Sequence, residues 1–231
     1  MQDDIANPAS GRRFADVLAG LIILAGSALA VVLFMNHPEI RVGGTHSPTD
    51  LAAAFTSIAA QMQMVHGGLA VIFCFQTVAL ARFSQRLGLD RLSVLAGLGF
   101  FAIGTVFLIL GAILEGFAAG NLAAQCASVA QPCNAALPGL LKVLFAILDS
   151  VTKVWMAAYA IAIASWALAL LTGRGAERVV GLLGVIACAA PVAMFVVPGL
   201  ENSEPAFMSV FAILGLWLLS VAAMLIVRRA W

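Results

Sequence analysis

Hydrophobic positions fall into six long runs, Phe14–Met35, Leu51–Ala81, Leu92–Gly116, Leu137–Leu171, Val179–Val197 and Phe207–Val227, with short polar stretches between them. Each run matches or exceeds the roughly 17–25 residues that a helix needs to cross a hydrocarbon core ~30 Å thick. The pattern predicts an all-α, polytopic membrane protein: a bundle of six transmembrane helices, preceded by a polar tail over residues 1–13, with a single transmembrane domain over 14–231. The first run resembles a secretory signal, with Ala28-Leu29-Ala30 as a cleavage-site mimic. Its apolar stretch continues through Met35, however, and Asp3 and Asp4 precede it, so it reads as a span.

The connections between runs fall into two classes. Arg12, Arg13, Arg82, Arg86, Arg91, Arg174, Arg178, Arg228 and Arg229 all lie at one set of ends, and the opposite loops hold only Arg41. Basic residues are retained on the cytoplasmic side during insertion, so both termini are expected in the cytoplasm. The chain then reads as a multi-pass protein of the cell inner membrane. Span 1 carries Asp16 near its basic end, within reach of headgroups or of Arg12 and Arg13.

Polarity inside a span must face protein or water, because hydrocarbon offers it no hydrogen-bond partner. The second run is the most interrupted: Gln61, Met62, Gln63, Met64 and His66 precede Gly67-Gly68. Ser47 and Asp50 make a capping box with Pro48 at the first helical position. A helix from Pro48 to Arg86 is about 58 Å long, so it must project beyond the bilayer or bend at the glycine pair. In the third run Gly97, Gly104 and Gly111 recur every seven residues and form a seam for another helix, with Glu115 one turn further on. In the fourth run Lys142, Asp149, Thr152 and Lys153 share a stripe, and Asp149 and Lys153 are spaced for an ion pair. Pro191 should kink the fifth run.

By rise per residue, His66, Glu115 and Asp149 all fall in the outer half or outer boundary of the bilayer. The outer loop 36–50 adds His37 and His46 to the same side. The second outer loop, Phe117–Ala136, holds Cys126 and Cys133, which an oxidising compartment would join as a disulfide. Cys74 and Cys188 read as packing residues within spans. Tyr159 and Trp155 either pack or line a lipophilic cavity.

Composition narrows the function classes. With 63% hydrophobic and 10% charged residues and a mean hydropathy of +1.06, a soluble domain is excluded. No basic patch interleaved with aromatics marks a nucleic-acid partner. Membrane lipid is the expected surrounding, with a small or lipophilic ligand or a membrane-protein partner beyond it. No phosphate loop, G-x-S-x-G or H-E-x-x-H motif is present.

Three functional readings follow. The leading one is an outward-opening polar pocket, lined by Gln63, His66, Glu115, Asp149 and Lys153, that binds or transports a small or lipophilic ligand. The second is a metal-dependent, hydrolase-like membrane enzyme at the outer leaflet, with His66, Glu115, Asp149 and His37 as ligands. There Glu115 or Asp149 would act as general base. Nitrogen and oxygen donors suit zinc, and the nearby Met62, Met64 and Met35 raise copper, although Met62 and Met64 do not share a helical face. The third is a non-catalytic subunit of a membrane complex. The first two expect His66, Glu115 and Asp149 to face one cavity bounded by spans 2, 3 and 4; without that convergence the third leads.

Overall fold

The computed structural model describes residues 8–38, 48–128, 132–197 and 204–227. Those residues form helices and short turns, with no strand among them. The helices are α1 (Pro8–Met35), α2 (Pro48–Leu87), α3 (Leu92–Ile113), a π-helical turn (Leu114–Ala118), α4 (Ala119–Ser128), α5 (Pro132–Leu171), α6 (Ala176–Val196) and α7 (Glu204–Val227). Six helical segments are long and apolar enough to cross a membrane, with α3, the π-turn and α4 counting as one. The protein is therefore an all-helical chain with six candidate spans.

Helix α2 runs unbroken for 40 residues, about 60 Å, through Gly67-Gly68, as a single helix from Pro48 was expected to. Two boundaries differ from the sequence reading. Helix α1 begins at Pro8, inside the stretch read as a tail. Most of the expected loop 117–136 is helical, since the chain stays helical to Ser128 and resumes at Pro132. The reason is composition and burial. Ala119, Ala123 and Cys126 form an apolar stripe on α4 with a partner to pack against.

The chain divides into two compact units. One comprises residues 1–28, 73–104 and 156–231, the other 29–72 and 105–155. Helices α1, α2, α3 and α5 contribute to both, and α6 and α7 to the first alone.

In the first unit, aromatic side chains meet at Trp166. Its indole stacks on Trp217 at 5.8 Å, meets Phe83 edge-on at 5.9 Å, and donates Nε1–H to Ser84 Oγ at 3.0 Å. Tyr159 stacks on Phe101 at 4.5 Å and is buried, so it is a packing residue. Pairs of this kind contribute about 0.5–1.5 kcal/mol each beyond the area they bury. The glycine seam makes room for them: a Cβ at Gly97 would meet the Trp166 indole, and one at Gly104 the Tyr159 ring. Asp16 is buried and pairs with Arg82 at 2.8 Å and Arg86 at 3.3 Å, rather than with Arg12 or Arg13. Those partners lie at the end of α2, which the linear sequence separates from Asp16 by about 66 positions.

In the second unit, Leu51, Ala52 and Phe55 of α2, Ala119, Ala123 and Cys126 of α4, and Leu137 and Leu141 of α5 form a core. Cys126 and Cys133 are joined as a disulfide that ties α4 to α5. Gly111 continues the seam against Leu148 and Val151 of α5.

Two outcomes test this packing. Gly104→Ala is expected to destabilise the detergent-solubilised protein by about 1–3 kcal/mol through overpacking against Tyr159. Gly99→Ala, where a Cβ meets nothing within 4 Å, should cost nothing and serves as the control in thermal unfolding. Protein isolated without reductant should resist alkylation at Cys126 and Cys133 and accept it after reduction, as mass spectrometry of the 126–133 peptide would show.

Candidate metal centre

His66 lies on α2, one turn beyond Met62, and is buried at 5% exposure. Its Nδ1 lies 2.9 Å from the Met62 carbonyl oxygen. A carbonyl can only accept, so Nδ1 carries a proton and donates it. In the neutral ring this leaves Nε2 with a free lone pair. Nε2 points at Glu115 Oε2, 3.2 Å away. Two electron-rich atoms at that separation need a positive charge between them, either a proton on Nε2 or a metal cation.

Glu115 reaches His66 because of the π-helical turn. In an uninterrupted α-helix, Glu115 would continue the seam of Gly97, Gly104 and Gly111 toward α5. The turn at Leu114–Ala118 widens the hydrogen-bond spacing and breaks that register. Gly116 then sits against His66, where an added Cβ would lie 2.5 Å from the histidine Cβ. Gly120, one turn further, meets Ala59 of α2 at 3.1 Å by the same measure, so small residues let the two backbones approach.

His37 completes the group from the short segment after α1. Its Nε2 lies 3.7 Å from Glu115 Oε1, and its ring meets that of His66 at 5.1 Å, edge to face. The segment is held to α2 by Gln61, whose Nε2 donates to the Asn36 carbonyl at 2.8 Å. Asn36 in turn donates to Val32 O at 2.8 Å, closing the end of α1.

One ligand atom from each of His37, His66 and Glu115 lies within 4.8 Å of the others. Around a tetrahedral zinc with bonds of ~2.0–2.1 Å, donor atoms sit roughly 3.3 Å apart. The histidine nitrogens lie 3.2 and 3.7 Å from different oxygens of Glu115, Oε2 and Oε1, so ligation through one carboxylate oxygen would need a small side-chain adjustment. Side-chain exposure of 30% at both His37 and Glu115 leaves one side of the group open.

The other sequence candidates lie elsewhere. Asp149 and Lys153 form the expected ion pair at 2.7 Å, with side chains 58% and 48% exposed, and neither belongs to the group of His37, His66 and Glu115. The stripe they share with Lys142 is on the exposed face of α5, because Leu141, Val151 and Trp155 occupy its buried face. Gln63 is half-buried and supplies no atom to the three-residue group. Met62 is buried and Met64 is 61% exposed, so the two thioethers do not converge. His46 lies outside the described residues. Sequence reasoning missed Gly116, the π-turn and the Gln61–Asn36 link. Gln61 was visible as a polar residue in the second run, but its partner was not.

No protein-family model, no curated protein and no solved structure matches this chain, so its function is argued from this geometry.

Proposed function

We propose that the protein is a metal-dependent membrane enzyme of hydrolytic type, whose centre is a divalent cation held by His37, His66 and Glu115. The observation that carries this reading is the convergence of two imidazoles and one carboxylate on a common point with one side open. Structural zinc sites are closed by four protein ligands, whereas catalytic ones use three and leave a position for water or substrate. The His66 Nδ1–Met62 carbonyl contact is of the kind that holds a ligating imidazole in one tautomer and orientation. Two nitrogens and one oxygen suit zinc or another borderline divalent ion, and the divergence of Met62 from Met64 removes the argument for copper(I).

A cation in such a site lowers the pKa of its water and polarises a carbonyl or phosphoryl group. In the hydrolytic step the water oxygen adds to the carbonyl or phosphoryl centre and the bond to the leaving oxygen breaks. Glu115 would take the proton released by that water and pass it to the leaving oxygen. Asp149, paired with Lys153 on the exposed face, is not placed to act as base. The outward-opening ligand pocket and the non-catalytic subunit rest on no feature comparable with the three-donor group.

Detergent-purified protein is expected to hold one zinc per chain by elemental analysis. His66→Ala and Glu115→Gln should lose it, and Asp149→Asn should keep it. Gly116→Ala and Gln61→Ala, which disturb the supports of His66 and His37, should weaken zinc binding on the order of 10–100-fold in a chelator competition. Absence of metal from wild type under zinc-replete expression would reduce the group to a structural histidine–glutamate ion pair. For orientation, we propose that the basic helix ends face the cytoplasm and the centre faces outward. A membrane-impermeant maleimide applied to intact cells should then label Ser57→Cys and spare Arg174→Cys. The reverse pattern would place the centre on the cytoplasmic side.

A further inference from the structure

The surface around the centre changes character at the level of the three ligands. On α2 the exposed residues are Phe75 at 59%, Val71 at 57% and Met64 at 61%. One turn further toward the helix start they are Gln61, Ser57 and Ala54. The chain from α3 into α4 repeats the change. Val106, Leu110 and Ile113 are exposed before the π-turn, and Asn121, Gln125 and Ser128 after it. Helix α1 exposes Val31, Val32 and Met35 and ends there, two residues before His37. On α5, Val154 gives way to the exposed Lys153–Asp149 pair, beyond which Lys142 is interspersed with Val143 and Leu140.

Large apolar side chains on an outward face belong in lipid, and small or polar ones belong in water. The centre therefore sits where hydrocarbon ends. Helix lengths agree. His66 is about 24 Å of helix from Arg82, Glu115 about 35 Å from Leu92, and Met35 about 32 Å from Phe14, which together bracket the ~30 Å hydrocarbon thickness.

Charge adds a second constraint. Two neutral imidazoles, one carboxylate and a divalent cation sum to +1, so the open position favours an anionic oxygen donor. We infer, resting on the metal reading above, that the substrate is a phosphate-bearing amphiphile of the bilayer. Its phosphoryl oxygen occupies the open position while its chains lie along the exposed apolar faces of α1, α2 and α3. Inorganic phosphate offers the same donor from water. The location of the centre favours the lipid, whose phosphate is held at that depth by its own chains.

The test uses the full-length protein loaded with Mn²⁺ in place of zinc and placed in bilayers of phosphatidylcholine and phosphatidylglycerol. Electron–nuclear double resonance should show ³¹P coupling to the bound Mn²⁺. Relaxation enhancement should be at least about tenfold greater at lipid phosphorus than at the terminal methyl, given a leaflet depth of ~15 Å. His66→Ala should abolish both signals, which separates the centre from Mn²⁺ adsorbed on headgroups. In dodecyl maltoside, which carries no phosphate, the coupling should vanish, and millimolar inorganic phosphate should restore less than a tenth of it. One Mn²⁺ per chain without ³¹P coupling in bilayers would overturn the amphiphile and leave the metal centre standing. Full restoration by inorganic phosphate would assign the position to an aqueous anion instead. Failure to retain Mn²⁺ and zinc alike would overturn the centre itself, and this inference with it.

Discussion

A carboxylate within an apolar helix must find a cation or a set of donors, because unpaired burial of that charge costs several kcal/mol even after relaxation. Two such groups organise the chain. In one unit Asp16 draws Arg82 and Arg86 of α2 against α1, with Arg82 also donating to the Arg12 carbonyl. In the other, Glu115 draws His66 from α2 and His37 from the end of α1. The first constellation is complete without a ligand, since the carboxylate meets two guanidinium groups. The second, two imidazoles and one carboxylate in mutual contact, is reconciled either by protons, as a histidine–glutamate ion pair, or by a metal cation.

That difference separates the structural group from the candidate functional one. Asp16 is buried and fully paired, so it can be explained by helix packing alone. Glu115 stands on a π-helical turn, a departure from α-helical geometry that recurs at functional sites. The turn aims Glu115 and Gly116 at α2, while Gly97, Gly104 and Gly111 before it serve α5. One continuous segment thereby serves two neighbours, packing along its α-helical part and carrying a reactive group where the register changes.

The supports of the centre also differ in kind. His66 is held by a backbone carbonyl of its own helix, which cannot move without unwinding α2. His37 lies on a short non-helical segment whose contacts include its own N–H to Phe34 O at 3.1 Å and the Gln61 amide to the Asn36 carbonyl at 2.8 Å.

Much of this was legible in the chain alone. The six helices long and apolar enough to span a membrane, and the unusual length of the second, follow from hydrophobic run length. The recurrence of glycine every seven residues announced a seam, and His66 and Glu115 stood out as polar groups in apolar runs. The choice of partners was decided by tertiary structure. Asp149 was expected to pair with Lys153 and to face the same cavity as His66 and Glu115; the pair forms, but on the exposed face of α5, because larger apolar residues claim its buried face. Glu115 appeared to belong to the seam and was turned to α2 by a π-turn that no residue pattern signals. His37 entered through an amide contact between residues 25 positions apart. Periodicity specifies which residues share a face of one helix. Which face meets which neighbour depends on competition among all the side chains of several helices, and that competition is settled only when they pack.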